Sequence, residues 1–348
     1  IALVALAVSP LVIGSLALVG ETWEPMGDWA SLVLRTSQVG TSETPLVGAY
    51  SMHGFAHPGP LLYWVGAPAY RLLGEDPRSI LWTGALVNVV SIVALAAVAW
   101  RRGRRPLLTG ALLVATLLLH GFGPLATVDL WNPTTPLFPF LLTLFLAWDA
   151  ALGRRRAVLE AVIPATYAMQ AHLAFVPLVL AVAAWAVAWR RWGPRPTGEA
   201  GQAEVPDERG GRGWRGWRQR PSAVPVAAAV LLAVLWAAPA VDAVADMNNP
   251  GRVVLSLAGD KDVVGPAAAP ALVGSFLRFS SWADGAAPAI LGGKAAIDGL
   301  ALAAGVAVLV ACGNSGGGLA SPQGGAFSGS IFCSCNQLWM CQCKSSAR

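Results

Sequence analysis

Side chains able to act on a ligand are scarce in this chain, and two of them are carboxylates that flank hydrophobic segments, Asp28 and Asp129. A carboxylate can act as a general base toward a hydroxyl group if burial raises its proton affinity toward the working pH. A structural role is also open for each. Asp28 precedes an apolar run, as a helix N-cap does, and Asp129 could also be a cap, followed by Asn132-Pro133, a common turn sequence.

Basic and amide side chains supply a second group of candidates. The forked donors of an arginine such as Arg35 bind phosphate well, although interfacial snorkelling would also explain its position. His57 opens the rigid turn HPGP, where it could bind a ligand or serve only as a surface donor. Gln170 and His172 could contact a substrate or make hydrogen bonds between helices.

The composition indicates what positions these residues. Of 348 residues, 55% are hydrophobic and only 12% charged, with a mean hydropathy of +0.57, whereas a soluble domain has about 25% charged residues. We therefore predict an all-α polytopic protein of the cell membrane. The net charge of +5 comes from arginine clusters at the ends of apolar runs, which is typical of cytoplasmic loops and not of nucleic-acid binding.

Apolar runs and arginine clusters together predict about eight transmembrane helices. The predicted spans are 1–20, 79–100, 106–123, 132–149, 157–170, 173–189, 222–245 and 291–312. Because RRGRR at 101–105 should be cytoplasmic, residues 21–78 form a large first extracytoplasmic loop, and its apolar part 59–74 is an interfacial or re-entrant helix. Residues 190–221 are predicted to be a flexible basic cytoplasmic loop, and 246–290 an extracytoplasmic loop with the turn signal DMNNPGR.

The C-terminal residues differ in composition from everything before them. All five cysteines lie from Cys312 onward, and the region 313–348 is rich in Gly and Ser. Two Cys-x-Cys pairs without a nearby histidine do not match a zinc spacing. We expect a low-complexity tail that is disordered or aberrant, with no metal site, in a chain that is truncated.

The first loop resembles that of the GT-C class of integral-membrane glycosyltransferases, including protein mannosyltransferases, aminoarabinose transferases and uncharacterised actinobacterial members. In that class the loop reads as an acid pair, Arg, then Lys-Pro-Pro-Leu-Tyr-Tyr-Trp and Phe-Gly. The matching positions here are Asp28, Arg35, His57-Pro58-Gly59-Pro60-Leu61-Leu62-Tyr63-Trp64 and Leu73-Gly74. The chain departs from the pattern in having one acid instead of two and His57 at the basic position. The resemblance covers residues 1–150 best.

The resemblance implies transfer of a sugar from a polyprenyl-phosphate donor to a cell-envelope glycan, lipid or protein on the extracytoplasmic face. We expect no cofactor, since no close spacing of His and Asp indicates one, although a divalent metal stays open. It makes Asp28 the catalytic base and Asp129 a second acid facing the same cavity. The predicted substrate-binding set is Arg35, His57, Tyr63, Trp131, Asn132, Gln170 and His172. The alternatives are a transporter or flippase of lipid-linked or small solutes, which would favour paired repeats with interrupted spans, and an inactive fragment.

Overall fold

The computed structural model describes residues 1–193, 223–245, 248–258, 333–336 and 340–343. These residues are mostly helical, as the all-α prediction requires. The helices are α1 (Ala2–Ala17), α2 (Asp28–Ser37), α3 (Leu61–Leu72), α4 (Ser79–Val128), α5 (Leu137–Ala151), α6 (Arg155–Ala171), α7 (Phe175–Trp192), α8 (Ala223–Leu235), α9 (Ala237–Ala245) and α10 (Asn248–Ala258). Two short strands, β1 (Cys333–Asn336) and β2 (Met340–Cys343), pair antiparallel.

Several predictions fall on other parts of the chain. The span 291–312, most of the loops 190–221 and 246–290, and the rest of the tail 313–348 lie outside the described residues. Predictions about those segments therefore stay predictions.

The chain divides into two compact units. The first comprises Ile1–Trp23, Arg78–Trp131 and Leu257–Arg348, and the second comprises Glu24–Pro77 and Asn132–Ser256. In the first unit α1 packs against α4, and the second contains α2, α3 and α5 to α9.

Helix α4 reverses direction within its own length. Its helical assignment is continuous over 50 residues, and a straight helix would separate Gly84 from Asp129 by about 67 Å. Yet a Cβ added to Gly84 would overlap the carbonyl of Asp129. Close to midway between them, in RRGRR, Arg104 has a left-handed φ of 51°. The reversal predicted at this sequence is therefore present, although no non-helical loop separates the two halves.

The C-terminal end of α1 lies beside both ends of the folded α4. The indole Nε1 of Trp82 donates to the carbonyl of Ser15 at 3.0 Å, and a Cβ on Gly14 would lie 3.2 Å from Val128. The C-terminal end of α1 and both ends of α4 therefore lie together at one end of this unit.

The second unit positions the first loop against a helix junction. Helix α6 packs on α5, α7 and α8, and α3 packs on both α2 and α6. His172 is extended, with φ −150° and ψ 127°, and it breaks the chain between α6 and α7. The division of 157–189 into two helices is confirmed, and so is a separate short helix within 59–74.

The predicted eight spans are not confirmed. Among the described residues, two helices are long and apolar enough to cross a membrane, Ser79–Leu119 within α4 and Phe175–Trp192. Helices α8 and α9, bent by 47° at their junction, would make a third if they form one span. Helices α1 and α5 have 16 and 15 residues, fewer than the roughly 20 that a bilayer requires. The predicted span 1–20 overran α1 because the apolar residues Leu18 and Val19 follow its last turn, and the predicted span 132–149 included five polar and proline residues that precede α5.

The turn prediction at DMNNPGR is wrong for its last residues, which begin α10. Pro250 occupies the first turn of that helix, where its missing N–H has no helical partner to lose. An Asn-Pro sequence therefore fits a helix start as well as a turn.

Candidate functional site

The first loop contains a small antiparallel hairpin, residues 48–57, here called the first-loop hairpin. Gly48 N donates to the carbonyl of His57 at 2.9 Å, and His57 N donates to that of Ala49 at 2.8 Å. Nearer the tip, Ser51 N donates to the carbonyl of Phe55 at 2.7 Å. Gly54 has a φ of 85°, which only glycine adopts at little cost. The hairpin brings His57 to its open end.

Gln170, at the end of α6, ties the segment after this hairpin to two other helices. It is fully buried. Its Nε2 donates to the carbonyl of Leu235 at 2.7 Å, and its Oε1 accepts from Leu61 N at 3.4 Å. Leu235 lies four residues before Pro239, which has no N–H to donate back to it. Gln170 therefore satisfies a carbonyl that the proline leaves without its helical partner.

Two glycines allow this close approach. A Cβ on Gly48 would lie 2.8 Å from the carbonyl oxygen of Gly59 and 3.1 Å from that of Gln170. A Cβ on Gly59 would overlap the carboxamide of Gln170 and lie 2.7 Å from its Cγ. Both values are below ordinary van der Waals contact, so packing excludes side chains here.

His57 and His172, both predicted to bind substrate, are brought together. Their ring centroids are 4.4 Å apart with 33° between the planes. His57 is buried, with 5% of its surface exposed, and its Nδ1 accepts from Leu173 N at 3.1 Å. The Nδ1 of His172 accepts from Ala174 N at 3.2 Å. Burial, and secondarily the neighbouring His172, lowers the pKa of His57 from 6.5 to about 4. Burial also lowers the pKa of His172.

Asn249 is a site residue that the sequence reasoning missed. Its Oδ1 accepts from Ala56 N at 2.8 Å, and its Nδ2 donates to the carbonyl of Ala56 at 3.2 Å. The carboxamide thus pairs with the edge of the first-loop hairpin as a neighbouring strand would. Ala56 and Asn249 are 193 residues apart, and no pattern in the sequence predicts that they are in contact.

Arg35 and Tyr63 come from α2 and α3, which pack together. Tyr63 is buried, and burial raises its pKa to about 12, while the positive charge of Arg35 acts in the opposite direction. Arg35 is exposed and donates to Gln38 Oε1 at 3.2 Å. The predicted pair therefore combines an exposed cation with a phenol that stays protonated at neutral pH.

Asp28 is the first residue of α2 and is exposed. The N-cap is Gly27, with a φ of 59°, so the N-cap reading of Asp28 is wrong by one position. A carboxylate in the first helical turn interacts favourably with the helix dipole. Its predicted role as a catalytic base stays a prediction, and in this structure its carboxylate is exposed to solvent.

Asp129 lies in the first unit, whereas Asp28 lies in the second. Asp129 is buried, with 4% of its surface exposed, and its Oδ1 accepts from Trp131 N at 3.1 Å. This bond closes a turn directly after α4, of which Asp129 is the C-cap residue. Trp131 and Asn132 are half-buried on either side of the boundary between the units. That Asp28 and Asp129 face one cavity stays a prediction.

No group of three or more His, Cys, Asp or Glu side chains that could hold a metal ion occurs among the described residues. Of the predicted site residues, His57, Gln170 and His172 lie where the first loop meets the junction of α6 and α7, and the fold adds Asn249. Arg35 and Tyr63 lie on the α2–α3 pair. No family model, curated protein or solved structure matches the chain.

Proposed function

We propose that the chain is a membrane glycosyltransferase that moves a sugar from a polyprenyl-phosphate donor to a cell-envelope acceptor on the extracytoplasmic face. The proposal begins from the first-loop sequence, with Asp28, Arg35 and the HPGPLLYW segment in the order described above. It is compatible with a helical chain that contains candidate membrane spans.

The observation that carries the proposal furthest is the closure of the first loop. Arg78 Nη1 donates to the carbonyl of Glu21 at 2.7 Å and to that of Leu18 at 3.4 Å. The segment between Glu21 and Arg78 therefore leaves and re-enters the first unit at one point. Such a closed excursion is what a large loop on one side of a membrane requires. Its interior carries a hairpin and two helices, so it is a built structure and not a simple linker.

Within this proposal the residues have distinct tasks. Asp28 removes the proton from the acceptor hydroxyl, and Arg35 binds the donor phosphate through its forked N–H groups. The Tyr63 hydroxyl, protonated at neutral pH, donates a hydrogen bond to a sugar or phosphate oxygen. Nucleophilic attack by the acceptor oxygen breaks the bond between the sugar and the phosphate, which leaves with the lipid.

The test is transfer of radiolabelled sugar from a polyprenyl-phosphate sugar to membrane acceptors, with the full chain in vesicles. Asp28→Asn should lower transfer by about 100-fold or more, the scale of general-base catalysis. The matched control is Glu24→Gln, another exposed carboxylate of the same loop, which should leave the rate within twofold. Transfer by Asp28→Asn at the wild-type rate would remove Asp28 from catalysis.

A second candidate is a transporter or flippase, and one observation favours it. Helices α8 and α9 meet at a 47° bend, as a broken span or a re-entrant segment would, and broken helices line substrate sites in many transporters. Movement of a fluorescent lipid-linked solute across proteoliposomes, with no covalent sugar transfer, would favour this candidate over the enzyme.

A further inference from the structure

His57 and His172 each accept a hydrogen bond through Nδ1, and the two donors are backbone N–H groups of adjacent residues. The Nδ1 of His57 accepts from Leu173 N and the Nδ1 of His172 accepts from Ala174 N, at 3.1 and 3.2 Å. Both donors immediately precede α7, whose first residue is Phe175. The N–H groups at a helix start lack helical partners, and here two imidazoles supply acceptors. One of them comes from the first loop, 116 residues away.

These bonds fix the chemical form of both rings. A ring nitrogen that accepts a hydrogen bond carries no proton, and a neutral imidazole must then carry its proton on Nε2. Neither ring is therefore a cation, and neither Nε2 has a free lone pair for a metal ion or a substrate proton. Protonation of Nδ1 would turn an acceptor into a donor facing an N–H group, and the bond would break.

We propose that His57 and His172 are positioning residues that hold the first-loop hairpin on the start of α7 through two neutral Nδ1 acceptors, and that proton uptake releases this hold. The proposal goes beyond the glycosyltransferase assignment and does not depend on it. It applies to the hairpin of residues 48–57 and the junction of residues 172–174.

Charge and packing around the pair favour its neutral form. The rings are 4.4 Å apart, so two cations would repel each other, and His172 is the charge that acts on His57. Next to the pair, Leu61 of α3 donates to the side chain of Gln170 in α6, and Asn249 of α10 bonds Ala56 of the hairpin; none of these three side chains ionises. Phe55 lies edge-on to His57, with ring centroids 5.7 Å apart. The other ionisable groups of these elements include His53 on the hairpin, stacked on Phe55, and Arg252 in α10.

Asparagine and glutamine distinguish the two ring nitrogens. Asparagine places Oδ1 where histidine has Nδ1, so His57→Asn and His172→Asn keep an acceptor that does not titrate. His57→Gln places its polar atoms one bond further out and loses that acceptor position. His53→Asn is the matched control, because His53 lies on the same hairpin but is exposed.

The experiment is hydrogen–deuterium exchange of the full chain in lipid nanodiscs at pH 7.5 and pH 5, corrected for intrinsic exchange rates. With the His57 pKa at about 4 instead of 6.5, linkage gives about a 30-fold increase in opening of the hairpin and of residues 173–174 at pH 5. The double variant His57→Asn/His172→Asn should show an increase in opening of less than about threefold between the two pH values. In His57→Gln the hairpin should already be open at pH 7.5, and His53→Asn should respond to pH as wild type does.

Two results would overturn the proposal. One is wild-type exchange that changes less than threefold between the two pH values, and the other is the same acid response in the double asparagine variant as in wild type. If the variants fail to fold, nitrogen-15 NMR of the wild-type chain decides, since the chain has only four histidines. Unprotonated Nδ1 in His57 and His172 at pH 7.5 supports the proposal, and protonated Nδ1 in either refutes it.

Discussion

Replacing Gly59 with alanine should destabilise the protein because of one side chain, Gln170. Gly59 does not adopt a left-handed φ, so alanine fits the backbone, but its methyl group would overlap the Gln170 carboxamide. Displacing that carboxamide breaks its bonds to Leu235 and Leu61. A buried polar group left unsatisfied costs about 1–3 kcal/mol. Allowing for partial relaxation, we expect Gly59→Ala to lower the free energy of unfolding by about 3 kcal/mol.

A double-mutant cycle separates this cause from a general intolerance of the position. Gln170→Ala alone loses the same two bonds and should also cost about 3 kcal/mol. Adding Gly59→Ala to it should then cost less than about 1 kcal/mol, because the overlapping carboxamide is gone. The assay is thermal and denaturant unfolding of the full chain in detergent, and Gly110→Ala is the control, since nothing lies within 4 Å of a Cβ there. Equal costs of Gly59→Ala in both backgrounds would refute the reasoning.

Three further predictions concern other contacts. Folded His57 binds a proton less readily than His57 in the unfolded chain, so its contribution to the free energy of unfolding is fully present above pH 6.5 and is lost as the pH falls toward about 4. At 1.36 kcal/mol per pKa unit this loss is about 3 kcal/mol. Chemical unfolding across that pH range measures it, and the loss should be smaller in His57→Asn. Asn249→Leu removes both bonds to Ala56 and should cost about 2 kcal/mol and speed proteolysis within the first-loop hairpin; unchanged cleavage would contradict it. Gly84→Val should cost at least about 3 kcal/mol, because its side chain would collide with the Asp129 carbonyl where α4 returns; wild-type thermal stability would mean that α4 does not fold back there.

Several parts of the fold were predictable because they depend on neighbouring residues. The break between α6 and α7 follows from residues close in sequence, and so does the short α3 that begins after HPGP. The reversal of α4 at RRGRR was predicted from charge, since arginine clusters mark the end of an apolar run. Span lengths were not predictable, because apolar residues continue beyond the last helical turn of α1, and because the predicted span 132–149 began five residues before α5.

By itself, the sequence determined that the described chain is mostly helical and apolar, and it singled out His57, Gln170 and His172. Only the tertiary structure decided what these three do for the fold. Gln170 satisfies the Leu235 carbonyl that Pro239 leaves unpaired, and the two imidazoles accept hydrogen bonds at the start of α7. The partners of Gln170 and His57 lie more than 60 positions away and are set by packing, whereas the partner of His172 is two residues away. Periodicity and spacing in the sequence do not identify which distant donor bonds which acceptor. The protonated nitrogen of a histidine can therefore be inferred only from its neighbours in the folded structure.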